Sequence, residues 1–161
     1  MSELTFRTEV RTTDGDAVRR IVMSSGFFNP DEIDVAVGLV DEHLAEGEAS
    51  GYHFVFVEQD GEVIGYGCFG PIACTRSSFD FFWIAVQEGV RGQGVGRRLV
   101  EVCEARMRQL GATRIYVETS GREQYAPTRH FYLRFGYHEA AVFPDFYAPG
   151  DDKVVYLKVL G

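Results

Sequence analysis

One stretch of this 161-residue chain restricts its fold more than any other. Residues 79–86 form an apolar run of aromatic and β-branched side chains, which reads as a buried strand. From Val95 onward an amphipathic run follows: Val95, Leu99, Val102, Cys103, Met107 and Leu110 share one helical face, while Arg97, Arg98, Glu101, Glu104 and Arg108 fall mainly on the other. Gly92, Gly94 and Gly96 alternate with larger residues between the two runs. Glycine lets the chain turn tightly and lets a ligand approach the main chain. The first amides of the helix then point outward with the positive end of its dipole behind them, so strand, glycine loop and helix together make an anion site, best suited to a pyrophosphate.

Three nucleotide-binding patterns compete for this loop. A P-loop requires Lys-Ser/Thr after its last glycine, and Arg97 follows Gly96. The dinucleotide fingerprint G-x-G-x-x-G requires glycine at 97 and a position near the start of a βαβ domain; neither holds. The pattern that remains is Arg/Gln-x-x-Gly-x-Gly/Ala, matched by Arg91, Gly92, Gln93, Gly94, Val95 and Gly96. A second pattern lies downstream, after one further strand: Ala126, Pro127 and Thr128 lead into Phe131-Tyr132, followed by Gly136-Tyr137. Together the two motifs resemble those of the GNAT superfamily of N-acetyltransferases, and the resemblance covers residues 79–137.

The remaining chain reads as an α/β (α+β) pattern in one domain, residues 1–161. A strand is expected over 4–10, then a helix capped by Asp14, with Ala17, Val18, Ile21 and Val22 on one face. Phe27 and Phe28 fall in a loop before a helix opened by Pro30, with Ile33, Val37, Val40 and Leu44 as its buried stripe. Strands over 52–58 and 62–72 are joined by Asp60-Gly61, a hairpin signal. Gly65, Gly67 and Gly70 point to a bulge or a close approach within the second strand. A strand over 113–118, a helix opened by Pro127, and closing strands over 137–143 and 153–160 complete the order β-α-α-β-β-β-α-β-α-β-β. Residues 144–152 read as a long loop.

Composition narrows the partners. A net charge of −8 opposes nucleic acid and anionic membrane. No apolar run reaches the ~20 residues of a membrane span. Residues 1–4 lack the basic-then-apolar pattern of a signal peptide. Cys68, Cys74 and Cys103 are an odd, unclustered set, which fits reduced thiols and a cytoplasmic setting. His43, His53, His130 and His138 show no metal-ligand spacing, so no metal is expected.

The resemblance implies a mostly antiparallel seven-stranded sheet in which the fourth and fifth strands run parallel and splay. It implies acetyl-CoA as acetyl donor, with the pantetheine arm on the edge of Ile84, Ala85 and Val86 and the pyrophosphate on Arg91 to Gly96. Tyr132 becomes the proton donor to the departing thiolate, and Phe131 lies beside it. Family members carry asparagine and alanine where this chain has Tyr125 and Thr128, so these two are expected to face the cofactor in their place. The base that frees the amine is Glu118 or Asp80, or bound water alone. Phe27, Phe28, Asp145 and Tyr147 are expected to border the acceptor, a small-molecule or protein amine. The chain is expected to be a monomer or homodimer. The alternative is a non-catalytic acyl-CoA-binding module.

Overall fold

The computed structural model describes residues 3–90 and 94–161. Its elements are β1 (Thr5–Arg7), α1 (Asp14–Ser24), α2 (Pro30–Glu46), β2 (His53–Gln59), β3 (Glu62–Pro71), β4 (Ser78–Val86), α3 (Val95–Gln109), β5 (Arg114–Ser120), α4 (Ala126–Arg134), β6 (His138–Ala148) and β7 (Asp151–Val159). The seven strands form one sheet in the order β1-β2-β3-β4-β5-β7-β6. The order of elements is the one the sequence implies, and the sheet is mostly antiparallel with a parallel β4–β5 pair. Among the described residues no helix is long and apolar enough to cross a membrane.

The chain separates into two compact units. One comprises the chain up to Gly70 together with Trp83–Gln109; the other comprises Pro71–Phe82 and Leu110–Gly161. β4 passes from the second into the first.

In the first unit the two-residue alternation of β2 sends Phe54 and Phe56 to one face and Val55 and Val57 to the other. Phe54 and Phe56 join Tyr66 and Cys68 of β3 under the apolar stripes of α1 and α2. α3 also packs against β2, burying Val95, Leu99, Val100, Cys103 and Met107. α2 begins as its sequence demands: Asn29 accepts from the Glu32 amide, the Glu32 carboxylate accepts from the Asn29 amide, and Pro30 fills the first turn. Its buried stripe is Ile33, Ala36 and Val40, with Val37 partly buried against the same core, whereas Leu44 is exposed.

Three expectations are corrected. β1 is short, ending at Arg7, whose guanidinium is engaged by acidic side chains. It donates to both Asp14 carboxylate oxygens at 2.8 and 2.9 Å and to Glu58 at 2.9 Å. Asp14 is therefore not a helix cap. Its buried carboxylate takes Arg7 and the Arg11 amide, and Thr13 precedes the helix. The stretch 144–152 is not a free loop either: β6 runs to Ala148, and Pro149 and Gly150 turn it into β7. The misreading came from Pro144 and Asp145, which the strand accommodates in an irregular stretch between its Phe143 and Ala148 pairings, and from Pro149 in the turn that follows.

The glycines of β3 serve both purposes expected of them. Pairing with β2 shifts register between Val57 and Glu58, so Ile64 is the extra residue of a bulge and Gly65 follows it. A Cβ on Gly65 would lie 2.9 Å from Val57 Cγ1 and 3.1 Å from the Ala85 carbonyl oxygen. Gly65 thus lets β3 approach β4, and the Gln87 amide donates to the Ile64 carbonyl at 2.7 Å.

Two stability outcomes follow. Gly65→Ala should cost about 1–3 kcal/mol through overpacking, seen as a lower melting temperature with an unchanged circular-dichroism spectrum. Arg7→Leu strands a buried carboxylate and should cost about 3–5 kcal/mol, measured by urea denaturation.

Candidate active site

The parallel ladder between β4 and β5 is short. Ser78 pairs with Arg114, Phe79 with Ile115 and Asp80 with Tyr116. No further β4–β5 pair follows among the described residues, although β4 runs on to Val86 and β5 to Ser120. Asp80 therefore stands at the last rung.

Strand alternation decides what shares its face. Tyr116, Glu118 and Ser120 lie on one side of β5, and Asp80 is registered with Tyr116. On the far side of β5, Lys153 of β7 is opposite Ser120 and Val155 is opposite Glu118. Lys153 and Glu118 are thus diagonal cross-strand neighbours, within reach of long side chains. Lys153 Nζ lies 3.2 Å from Glu118 Oε1. The same ammonium stands 4.3 Å from the ring centre of Phe146 and 5.4 Å from that of Phe143, a cation held by two aromatic faces and a carboxylate. The Lys153 side chain keeps 16% of its exposure, that of Glu118 50%.

Asp80 is half-buried, and its carboxyl titrates above its ordinary range. Burial is the main cause, the Glu118 charge the second, and the Lys153 ammonium partly offsets both. The Tyr147 phenol is also pushed up, by burial first and then by Glu118, Asp151 and Tyr125. Asp80, Glu118, Lys153, Tyr147, Tyr125 and Asp151 thus form one electrostatic group in the second unit. Asp145 stands apart: its carboxylate accepts from the Gly150 amide at 2.7 Å, which holds the β6–β7 turn.

Tyr132 faces inward from α4, 6% exposed, among the rings of Phe131, Tyr137 and Tyr156 at centroid distances of 5.8, 5.7 and 6.1 Å. Burial lifts its phenol far above the ordinary value, so the proton stays on throughout the physiological range. Tyr125 precedes the helix with the Arg122 guanidinium over its ring, and Thr128 lies partly buried in the first turn.

In the first unit, Ile84 and Ala85 are partly buried and Val86 is buried at the end of β4. Phe28 packs edge-on against Trp83 at 5.1 Å and is drawn into the core, whereas Phe27 is exposed. Gly94 has φ +75°, with none of the described residues within 4 Å of where a Cβ would stand. Its carbonyl accepts from the Arg98 amide, the first bond of α3. Val95 is buried beneath that turn and Gly96 is partly exposed. Arg91, Gly92 and Gln93 lie outside the described residues. A glycine at positive φ just before a helix is a conformation that other L residues rarely adopt.

A separate cleft of about 300 Å³ in the first unit is lined by residues that include Glu9, His43, Glu48, His53 and Arg106. It shares no residue with the groups above.

The sequence passed over Lys153, Phe143 and Phe146. Their signal was present but faint: the chain has two lysines, Lys153 and Lys158, beside fourteen arginines.

Residues 17–137 match the profile of the acetyltransferase (GNAT) family, and the chain belongs to that family. Its members draw the acetyl group from acetyl-CoA. An N-alpha-acetyltransferase of Sulfurisphaera tokodaii is 30% identical over 121 residues, covering 69% of this chain and 70% of the relative. The blasticidin-S acetyltransferase of Streptomyces morookaense is 39% identical over 101 residues, 62% of this chain and 68% of that one. A GNAT-family protein from Desulfovibrio desulfuricans, solved as a crystal structure, is 45% identical. It superposes with a TM-score of 0.97 over 99% of this chain and 100% of its own.

Proposed function

We propose that residues 1–161 act as one N-acetyltransferase domain that moves the acetyl group of acetyl-CoA to a primary amine by direct attack. The observation that carries this reading is the group at the last rung of the β4–β5 ladder. There Glu118 and two aromatic rings already hold a primary ammonium, that of Lys153, whose charge Asp80 feels while its own carboxyl titrates above the ordinary range. This is the chemistry a primary-amine acceptor requires.

In this reading Asp80 is the base. A carboxylate whose pKa is raised takes a proton from an ammonium more readily than an ordinary one, and Glu118 orients the incoming cation. The freed nitrogen attacks the thioester carbonyl. A C–N bond forms, the C–S bond breaks, and main-chain N–H groups of β4 past Asp80 steady the oxyanion. Tyr132 donates a hydrogen bond, and then a proton, to the departing sulfur. Ile84, Ala85 and Val86 offer strand-edge hydrogen bonds to the amides of the pantetheine arm, and Arg91 to Gly96 the amides for the pyrophosphate. Tyr125, Thr128 and Phe131 border the arm at α4, while Tyr147, within the same electrostatic group as Glu118, borders the acceptor. One relative is named an N-alpha-acetyltransferase and another a blasticidin-S acetyltransferase.

An amine panel assayed by coenzyme A release, with mass spectrometry of products, tests this reading. Acetylated amine should appear in step with coenzyme A, and binding without turnover across the panel would overturn it.

Three variants test the roles. Tyr132→Phe keeps the ring and its packing, so kcat should fall by roughly 10²–10⁴-fold with melting temperature and acetyl-CoA affinity little changed. Activity requires ionised Asp80, so kcat/KM should be present above its raised pKa and lost as pH falls through it. With the acceptor held constant, Asp80→Asn should lower the plateau and remove that limb. Gly94→Ala should weaken acetyl-CoA binding by at least tenfold, about 1.4 kcal/mol, in calorimetry.

A further inference from the structure

We infer that Lys153 is itself an acetyl acceptor, so that the protein acetylates its own chain at this residue. The inference rests on the function proposed above, because the same thioester must be bound.

Its basis is the place of one unusual residue. Positive charge on this chain is carried almost wholly by arginine, which is not nucleophilic at physiological pH. Of the two lysines, Lys153 alone lies on a candidate base, with Nζ 3.2 Å from Glu118 Oε1. Asp80 titrates under the influence of both residues. The rings of Phe146 and Phe143, 4.3 and 5.4 Å from Nζ, hold the ammonium in place beside Glu118. Lys158 differs: its ammonium lies 5.6 Å from the ring of Tyr137, and Lys158 is registered with Ile115, three residues from Glu118 along β5.

Lys153 therefore presents what the site requires of an acceptor, and it is tethered. A group held in place by the chain acts at a high effective concentration, so it competes with any diffusing amine. The step balances. Because this tethered amine already touches Glu118, that carboxylate takes its proton in place of Asp80, the nitrogen attacks the thioester carbonyl, the C–N bond forms and the C–S bond breaks. Coenzyme A leaves as the thiol, and one net proton reaches solvent. The product amide is uncharged, so Glu118 loses its ion pair and becomes available to an incoming ammonium.

The test incubates the full chain with acetyl-CoA and no added amine, then follows intact mass and proteolytic peptides with time. A single acetyl group should appear on Lys153, with Lys158 unmodified over the same interval and a first-order rate independent of protein concentration. Glu118→Gln and Asp80→Asn, each checked for an unchanged melting curve, should slow the modification at least tenfold. Lys153→Arg should abolish it while acetyl-CoA binding by calorimetry persists. An unmodified Lys153 in a protein that binds acetyl-CoA and acetylates an added amine overturns the inference and leaves the proposed function standing. Equal rates at Lys153 and Lys158 also overturn it, since that is non-enzymatic acylation by the thioester. Absence of both acetyl-CoA binding and amine turnover defeats the proposed function, and this inference with it.

Discussion

The shortness of the β4–β5 ladder is the constraint on which the rest of the site depends. Parallel strands in a sheet interior normally pair along their length, because unpaired main-chain groups away from water are costly. Here pairing stops at Asp80 and Tyr116 although both strands continue. β5 keeps its full antiparallel partnership with β7 from Arg114 to Ser120, so the interruption costs β5 nothing on that side. Past Asp80 lie Ile84, Ala85 and Val86, the β4 residues proposed to receive the amides of the pantetheine arm. A carboxylate stands where that stretch begins.

Electrostatics then separates two carboxylates that sequence alone treats as equals. Asp80 is partly buried and feels the charge of Glu118, so its proton is held more tightly. Glu118 is half-exposed and already carries an ion pair with Lys153. One is suited to taking a proton, the other to holding a cation, and the difference arises from depth and neighbours rather than residue type. Lys153 connects the two roles, since its charge lowers the pKa of Asp80 while its ammonium occupies Glu118. Tyr132 is protonated for a different reason: it lies inside the aromatic packing of α4 and β7, where a phenolate would be poorly solvated.

Much of this was legible in the sequence where local chemistry and period agree. The order of all eleven elements, the helix opened by Pro30, the hairpin at Asp60-Gly61 and the close approach at Gly65 followed from turn chemistry and alternation. The glycine-rich stretch and the Phe131-Tyr132 motif pointed to the family that the profile match establishes. The misreadings share a cause. Asp14 has the look of a helix cap, yet a distant Arg7 claims its carboxylate. Residues 144–152 have the composition of a loop, yet β7 pairs with their ends. Lys153 gives no local signal, because its partners lie on β5 and β6 and only strand register brings them together. Long-range pairing decided each case, and a local pattern does not encode it.

The central claim is that the carboxylates at the end of the ladder serve transfer of an acetyl group to nitrogen. Following the fate of that group in one reaction mixture tests this most directly. With acetyl-CoA labelled in its acetyl group and a primary amine that the protein acetylates, the label should leave as N-acetylated amine in proportion to the coenzyme A released. Replacing Asp80 and Glu118 together by Asn and Gln should suppress that flux in a protein that still folds and binds acetyl-CoA. Label recovered as free acetate, or undiminished N-acetylation by the double variant, would contradict the account.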